Sequence, residues 1–308
     1  MQLFDRTLLR RRRDRAAPGF SAHDFLIRHA SEDLAERLMA VNRSFPLALD
    51  LGAHQGALSY APLPEDKIGA IVETDLSPAM LSGPEQKVRQ KARPLRLAAD
   101  EEALPFAEES ADLVTSLLSL HLVNDLPGAL IQIRRILKPD GLFIGALFGG
   151  ETLSELREAM SLAEIECEGG LSPRIAPFTE IRDLGGLMQR AGFALPVTDA
   201  DKLTVRYATP MHLLNELRGM GETNMLSERR KTPLRRATLM RMMEIYREKF
   251  SDPDGRIRAT FDIHYVTGWA PHESQQKPLR PGSAKTRLAD ALGVSEKPAG
   301  EKSGPSEE

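Results

Sequence analysis

The stretch "LALDLGAHQG", Leu47 to Gly56, runs a short apolar segment into a glycine turn with Asp50 just before it. It is too short for a helix and is bounded by turn residues, so it reads as a buried strand. A strand that meets a helix through glycines is where α/β proteins seat adenosine cofactors. A dinucleotide loop needs three glycines, for the turn, for the approach of pyrophosphate and for helix packing. Here the second and third of those positions are His54 and Ala57. S-adenosylmethionine has no pyrophosphate, and Gly52 and Gly56 could bring backbone against its amino acid and ribose portions. Asp50 would orient that loop or reach the ammonium group through water. Taken alone, the loop is also compatible with an ordinary strand–helix turn.

Working outward, residues 68–74, 112–118 and 142–148 read as further strands, with 95–100 a weaker one. Helical patterns separate most of them. Ser31 is placed to cap a helix carrying Leu34, Leu38 and Val41, and Asp125 one carrying Leu130, Ile133 and Leu137, which "KPDG" (138–141) ends with a turn. Strands buried on both faces and alternating with helices imply a parallel, doubly wound sheet. The second strand ends on Asp75, where a carboxylate can accept both hydroxyls of a ribose. "AADEEALPF" sets Asp100 and Glu101 after the next strand, where an acid can accept a proton from the adenine amino group. Beyond Gly149 the spacing predicts a helix over 152–166, then one capped by Thr179 and stopped at Gly192, then a strand through Leu203, Val205 and Tyr207. Thr232 and Pro233 should start a helix striped by Leu239, Met243, Tyr246 and Phe250, and Phe261, Ile263 and Tyr265 mark a last strand ending at Trp269.

At 308 residues the chain can bury one large or one elaborated domain, and its net charge of −3 argues against an extended nucleic-acid footprint. No apolar run approaches the roughly 20 residues of a membrane span. The single cysteine, Cys167, rules out an internal disulfide and fits a reducing compartment. The Arg10–Arg13 cluster reads as a surface helix rather than an address signal, because Asp5 and Asp14 interrupt it and serine is absent. The tail from Val294, rich in Glu, Lys, Pro, Gly and Ser, should be disordered.

With these acids at these strand ends, the chain resembles the class I S-adenosylmethionine-dependent methyltransferases. That resemblance implies a mostly parallel seven-stranded sheet with N-terminal helices and a helical elaboration before the last strand. It carries Gly52, Gly56, Asp75, Asp100 and Glu101 over as contacts to S-adenosyl-L-methionine, beside Asp50. The expected organisation is a helical cap (1–45), a cofactor core (46–150), a half elaborated for substrate or partner (151–270) and an extended tail (271–308).

Further segments resemble a narrower group. "ELRGMGETN" (216–224), "YREKFSDPDGRIRATFDIHYVTGW" (246–269), "HESQQKPLRPGSA" (272–284) and "FDRTLLRRRRDRAA" (4–17) look like the mitochondrial complex I assembly factors that hydroxylate an arginine of a complex I subunit, and their alphaproteobacterial relatives. The resemblance implies a protein substrate, with membrane association only through that partner, in the cytoplasm of a bacterium or the mitochondrial matrix of a eukaryote. Methyl transfer to a carrier protein or small molecule, and a noncatalytic chaperone, are the competing readings. "SLLSLHLVND" lacks the Asn/Asp-Pro-Pro-Tyr box of many nucleic-acid methyltransferases, which lowers an exocyclic-amine acceptor. His121, at a strand's carboxyl end, is a candidate base or a packing histidine. Glu222 and Asn224 are candidates for binding a guanidinium, or else loop caps. The histidines show no pair at ligand spacing, so no metal ligand is assigned.

Overall fold

The computed structural model describes residues 2–83, 94–276, 290 and 293–294. Strands form at β1 (Phe45–Leu51), β2 (Ile68–Asp75), β3 (Leu95–Ala98), β4 (Ala111–Leu117), β5 (Leu137–Phe148), β6 (Ala194–Tyr207) and β7 (Ile257–Trp269). They make one seven-stranded sheet in the order β3-β2-β1-β4-β5-β7-β6. The first five are parallel, and β7 lies antiparallel between β5 and β6. The order reverses direction between β1 and β4, which opens a crevice at their carboxyl ends.

Alternation along the strands sends neighbouring side chains to opposite faces. Ala48, Leu113 and Ile144 go to a core shared with helices α2 (Phe25–Ala40), α5 (Ser154–Glu168), α7 (Pro210–Met220) and α8 (Arg236–Phe250). Leu49, Val114 and Phe143 go to a second core under α4 (Leu126–Ile136) and α6 (Ile181–Arg190). Leu34 and Leu38 of α2 are fully buried, each worth roughly 2 kcal/mol of apolar burial. The remaining α-helices are α1 (Arg6–Ala16) and the single-turn α3 (Pro78–Leu81). Contacts gather Met1–His272 into one compact unit and Glu273–Glu308 into another, and most of the segment 272–284 and nearly all of the tail lie outside the described residues.

Several expected boundaries move. Asp125 does cap α4, its Oδ1 accepting from Gly128 N–H at 2.9 Å. Ser31, by contrast, lies inside α2, because Ile27 and Ala30 extend the buried stripe of Leu34 and Leu38 back by a turn. Its hydroxyl donates to Arg28 O at 2.8 Å. The Lys138–Gly141 turn is absorbed into β5 as a bulge, with Asp140 at φ +62 and the register slipping between Ala111 and Leu113. The helix expected from Thr232 starts at Arg236, and the strand expected near Leu203 extends back to Ala194 because β7 pairs with it from Val197 onward and, past an irregularity at Leu195, again at Ala194.

Candidate functional site

Beyond β1 the chain turns through three left-handed residues, Gly52 (φ +62), His54 (φ +51) and Gly56 (φ +92). A Cβ on Gly52 would lie 2.1 Å from Ser119 Oγ, and one on Gly56 2.4 Å from Glu73 Oε1, so glycine is required at both by space as well as backbone. Ala53 N–H donates to Thr74 O at 2.7 Å and His54 N–H to Asp75 Oδ2 at 3.1 Å, which folds the loop across the end of β2. Asp50 turns into the sheet, where its Oδ1 accepts from Thr115 Oγ1 at 2.8 Å. Burial pushes its carboxyl up to about 7, against the downward pull of the Thr115 hydroxyl.

The crevice closes around an arginine that the sequence left on the surface. Arg13 is 1% exposed, and its Nη1 donates to Asp75 Oδ2 at 3.0 Å and to Glu101 Oε1 at 3.5 Å. Its Nη2 donates to Ser119 Oγ at 2.9 Å, and that hydroxyl donates in turn to Glu101 Oε1 at 2.7 Å. Arg6, two turns earlier on α1, reaches Glu101 Oε2 and Asp100 Oδ1 at the rim. Burial opposes charge on Glu101, but the Arg6 and Arg13 guanidinium groups outweigh it and hold the carboxyl down at about 2. Burial likewise opposes charge on Arg13, and Asp75 and Glu101 more than restore it. Asp75 also accepts Ser77 N–H at 2.8 Å.

A second group borders this one. His121 lies in the single-turn helix after β4, with its ring centroid 4.7 Å from that of Phe148 and its Nε2 3.6 Å from Glu222 Oε2. Glu222 follows the left-handed Gly221 that ends α7. Burial opposes its ionisation, but the N–H and charge of His121, then Arg13, hold its carboxyl below the usual range. Glu222 faces a chamber of about 210 Å³ whose apolar wall includes Leu153, Leu156, Met160, Ile175 and Phe178. It also borders a pocket of about 20 Å³ beside His54, whose ring stacks on Phe20 at 5.4 Å. Burial, then Arg13, keep His54 neutral by lowering its pKa. Asn224 ties loops together: its Nδ2 donates to Pro173 O at 2.7 Å and its Oδ1 accepts from Leu226 N–H at 3.1 Å. Its carbonyl accepts from Arg12.

Gly52, Asp75 and Glu101 therefore converge, Asp100 sits at their rim, Gly56 packs on Glu73, and Asp50 lies behind the loop. His121 and Glu222 form an adjoining pair. Residue types suit an adenosyl cofactor, yet Arg13 occupies the carboxylates that would receive it. A carboxylate offers about four acceptor sites. Three donors, from Arg13, His54 and Ser77, already use three of those of Asp75, which leaves about one for the two donors of a ribose diol. With Arg13 in place Asp75 cannot accept both hydroxyls. Sequence reasoning missed Arg6, Arg13 and Ser119. Leu9, Arg13 and Ala16 are the buried residues of α1, so the i, i+4, i+7 spacing was the available signal. Among the described residues one cluster has metal-ligand proximity, His29, Asp33 and Asp201, in which the imidazole already bonds Asp201 at 2.7 Å.

Residues 49–145 match the family profile described as a methyltransferase domain. The arginine-hydroxylase NDUFAF5, mitochondrial, of Homo sapiens is 43% identical over 292 residues, which are 94% of this chain and 83% of that protein. The Rattus norvegicus protein of the same name matches with the same identity over 292 residues, 94% of this chain and 84% of its own length. A malonyl-[acyl-carrier protein] O-methyltransferase of Halorhodospira halophila is 35% identical over 272 residues, 87% of this chain and 89% of its own length. Among solved structures, the YcgJ protein of Bacillus subtilis superposes with a TM-score of 0.54 at 16% identity, covering 79% of this chain and 99% of that one, a likeness of fold.

Proposed function

This chain belongs to the family of the mitochondrial arginine-hydroxylase NDUFAF5, and from that premise we propose that it binds S-adenosyl-L-methionine and modifies an arginine of a protein partner during assembly of NADH:quinone oxidoreductase. The observation that carries this reading is the buried Glu222 carboxylate, set against His121 at the wall of an apolar chamber beside the glycine loop. An arginine side chain is an aliphatic stem ending in a planar cation, and a carboxylate accepts that fork in two parallel bonds. The chamber suits the stem and Glu222 the head. His121 keeps Glu222 ionised, and Asn224 fixes its loop. In this reading Gly52, Gly56, Asp75, Asp100 and Glu101 face the cofactor and Asp50 supports their loop. Residues 1–45 cap the cleft, 46–150 hold the cofactor and 151–270 receive the partner. The protein works where its partner is assembled, in the matrix of a eukaryote or the cytoplasm of a bacterium, and meets the membrane through that partner.

The relatives' name favours hydroxylation. The 35% identity to carrier-protein O-methyltransferases supports methyl transfer as the second reading. Intact-mass comparison of the complex I subunits from cells with and without this protein separates them. Gain of one oxygen on an arginine is the expected result, and gain of a methyl group selects the second reading. Unchanged masses, with assembly still dependent on the protein, would refute both and leave a chaperone.

A further inference from the structure

We infer that α1 is a tethered occupant of the cofactor cleft, with Arg13 holding the carboxylates that a ribose would hold, so that cofactor is admitted only as α1 withdraws. The inference rests on the cofactor reading above. Its basis is the mutual exclusion at Asp75, where Arg13, His54 N–H and Ser77 N–H leave about one acceptor site for a diol that needs two. His54 and Ser77 donate from backbone that forms the cleft itself, so Arg13 is the donor that can leave. Withdrawal of α1 carries the Arg6 and Arg13 guanidiniums away from Asp75 and Glu101 together, and S-adenosylmethionine, with one sulfonium, one ammonium and one carboxylate, brings back one net positive charge.

The helix ends at a two-turn 3-10 helix, Ala17–Ala22, whose Gly19 has open space around it. Away from the carboxylates it is held where Ser77 Oγ donates to Asp14 Oδ1 at 2.5 Å, where Leu9 is buried with Phe4, Leu122, Met225 and Leu226, where Asp5 N–H donates to Met225 O at 2.9 Å, and where Arg12 donates to Asn224 O. These last contacts fall on the loop that carries Glu222. Withdrawal of α1 therefore also loosens the wall of the chamber, and occupancy of the cleft is linked to access for the partner.

The test is calorimetry of S-adenosylmethionine binding to the full chain and to Arg13→Met, with folding checked by circular dichroism. A binding state populated at about one part in ten weakens apparent affinity tenfold, so the variant should bind roughly tenfold tighter or better. Equal or weaker binding by the folded variant overturns the gate and leaves the cofactor reading standing. No uptake by either folded chain overturns the cofactor reading itself. Should Arg13→Met not fold, hydrogen exchange of the unaltered chain decides. Saturating cofactor should speed exchange of the α1 amides while slowing those of β1 and β2. Unchanged or slower exchange in α1 would overturn the inference.

Discussion

Replacing Asp50 by Asn should remove a fixed portion of the pH dependence of stability. The carboxyl titrates at about 7 in the fold against 3.8 for an unperturbed aspartate. Below both values it is neutral in folded and unfolded chains alike, and it carries no penalty. Between them the unfolded chain releases the proton that the fold retains. Native protein then binds more protons, and stability falls with rising pH by about 1.4 kcal/mol per pH unit. Above the folded value both states are ionised and the loss stays at about 4 kcal/mol, the product of that slope and the interval between the two values. Asn keeps the shape and, through its carbonyl, the bond from Thr115, but has no proton to lose. Urea unfolding of both proteins from about pH 5 to about pH 8 isolates the effect, because every other group titrates in both. The variant should gain about 3 kcal/mol on the native chain over that interval. Parallel stability curves would refute the placement of Asp50 as a buried, largely neutral acid.

Glu222→Gln should lower modification of the partner by about tenfold or more, through loss of a charge-assisted fork worth about 1.5–3 kcal/mol, with the thermal midpoint little changed. Activity equal to the native chain's would remove Glu222 from the site. Tyr246→Phe deletes the hydroxyl that donates to Arg258 O at 2.8 Å and should cost about 1 kcal/mol in urea, with an unchanged denaturant slope. No shift in midpoint would mean that this carbonyl finds another donor. Leu9→Ala, at a fully buried position, should cost about 2–5 kcal/mol if α1 unfolds with the whole. If α1 instead detaches locally, its amides exchange faster while those of β5 keep their protection, and a change in neither observable refutes the docking.

The sheet was legible because its signal is local. Ala48 and Leu49, or Phe143 and Ile144, alternate faces within one strand, and the acids follow those strands at fixed distances. Elements whose extent depends on a distant partner were not. β6 runs from Ala194 because β7 pairs with nearly all of it, although its own side chains alternate only between half-buried and exposed. Ser31 has the chemistry of a cap, yet Leu26 and Ile27 find a core to bury in and draw the helix back past it. Asp75, Glu101, His121 and Glu222 were picked out by position, and the fold sets them near one another. Arg13 was read among its neighbours Arg10–Arg12 as surface charge. It shares the buried stripe of Leu9 and Ala16, and Asp75, Glu101 and Ser119, which come together in three dimensions, receive it there.

The cover of the crevice joins segments far apart along the chain, since Phe4 bridges Leu226 and Ser227 N–H donates to Leu3 O at 2.8 Å. During synthesis α1 therefore emerges long before the part of its berth at residues 225–227 exists, whereas β1 to β5 can assemble from sequence already released. A nascent chain stalled short of residue 226 would hold β1 to β5 and the carboxylates that Arg13 meets, with the Met225 and Leu226 half of the berth still to come. Full seating of the helix accordingly waits on synthesis of that loop.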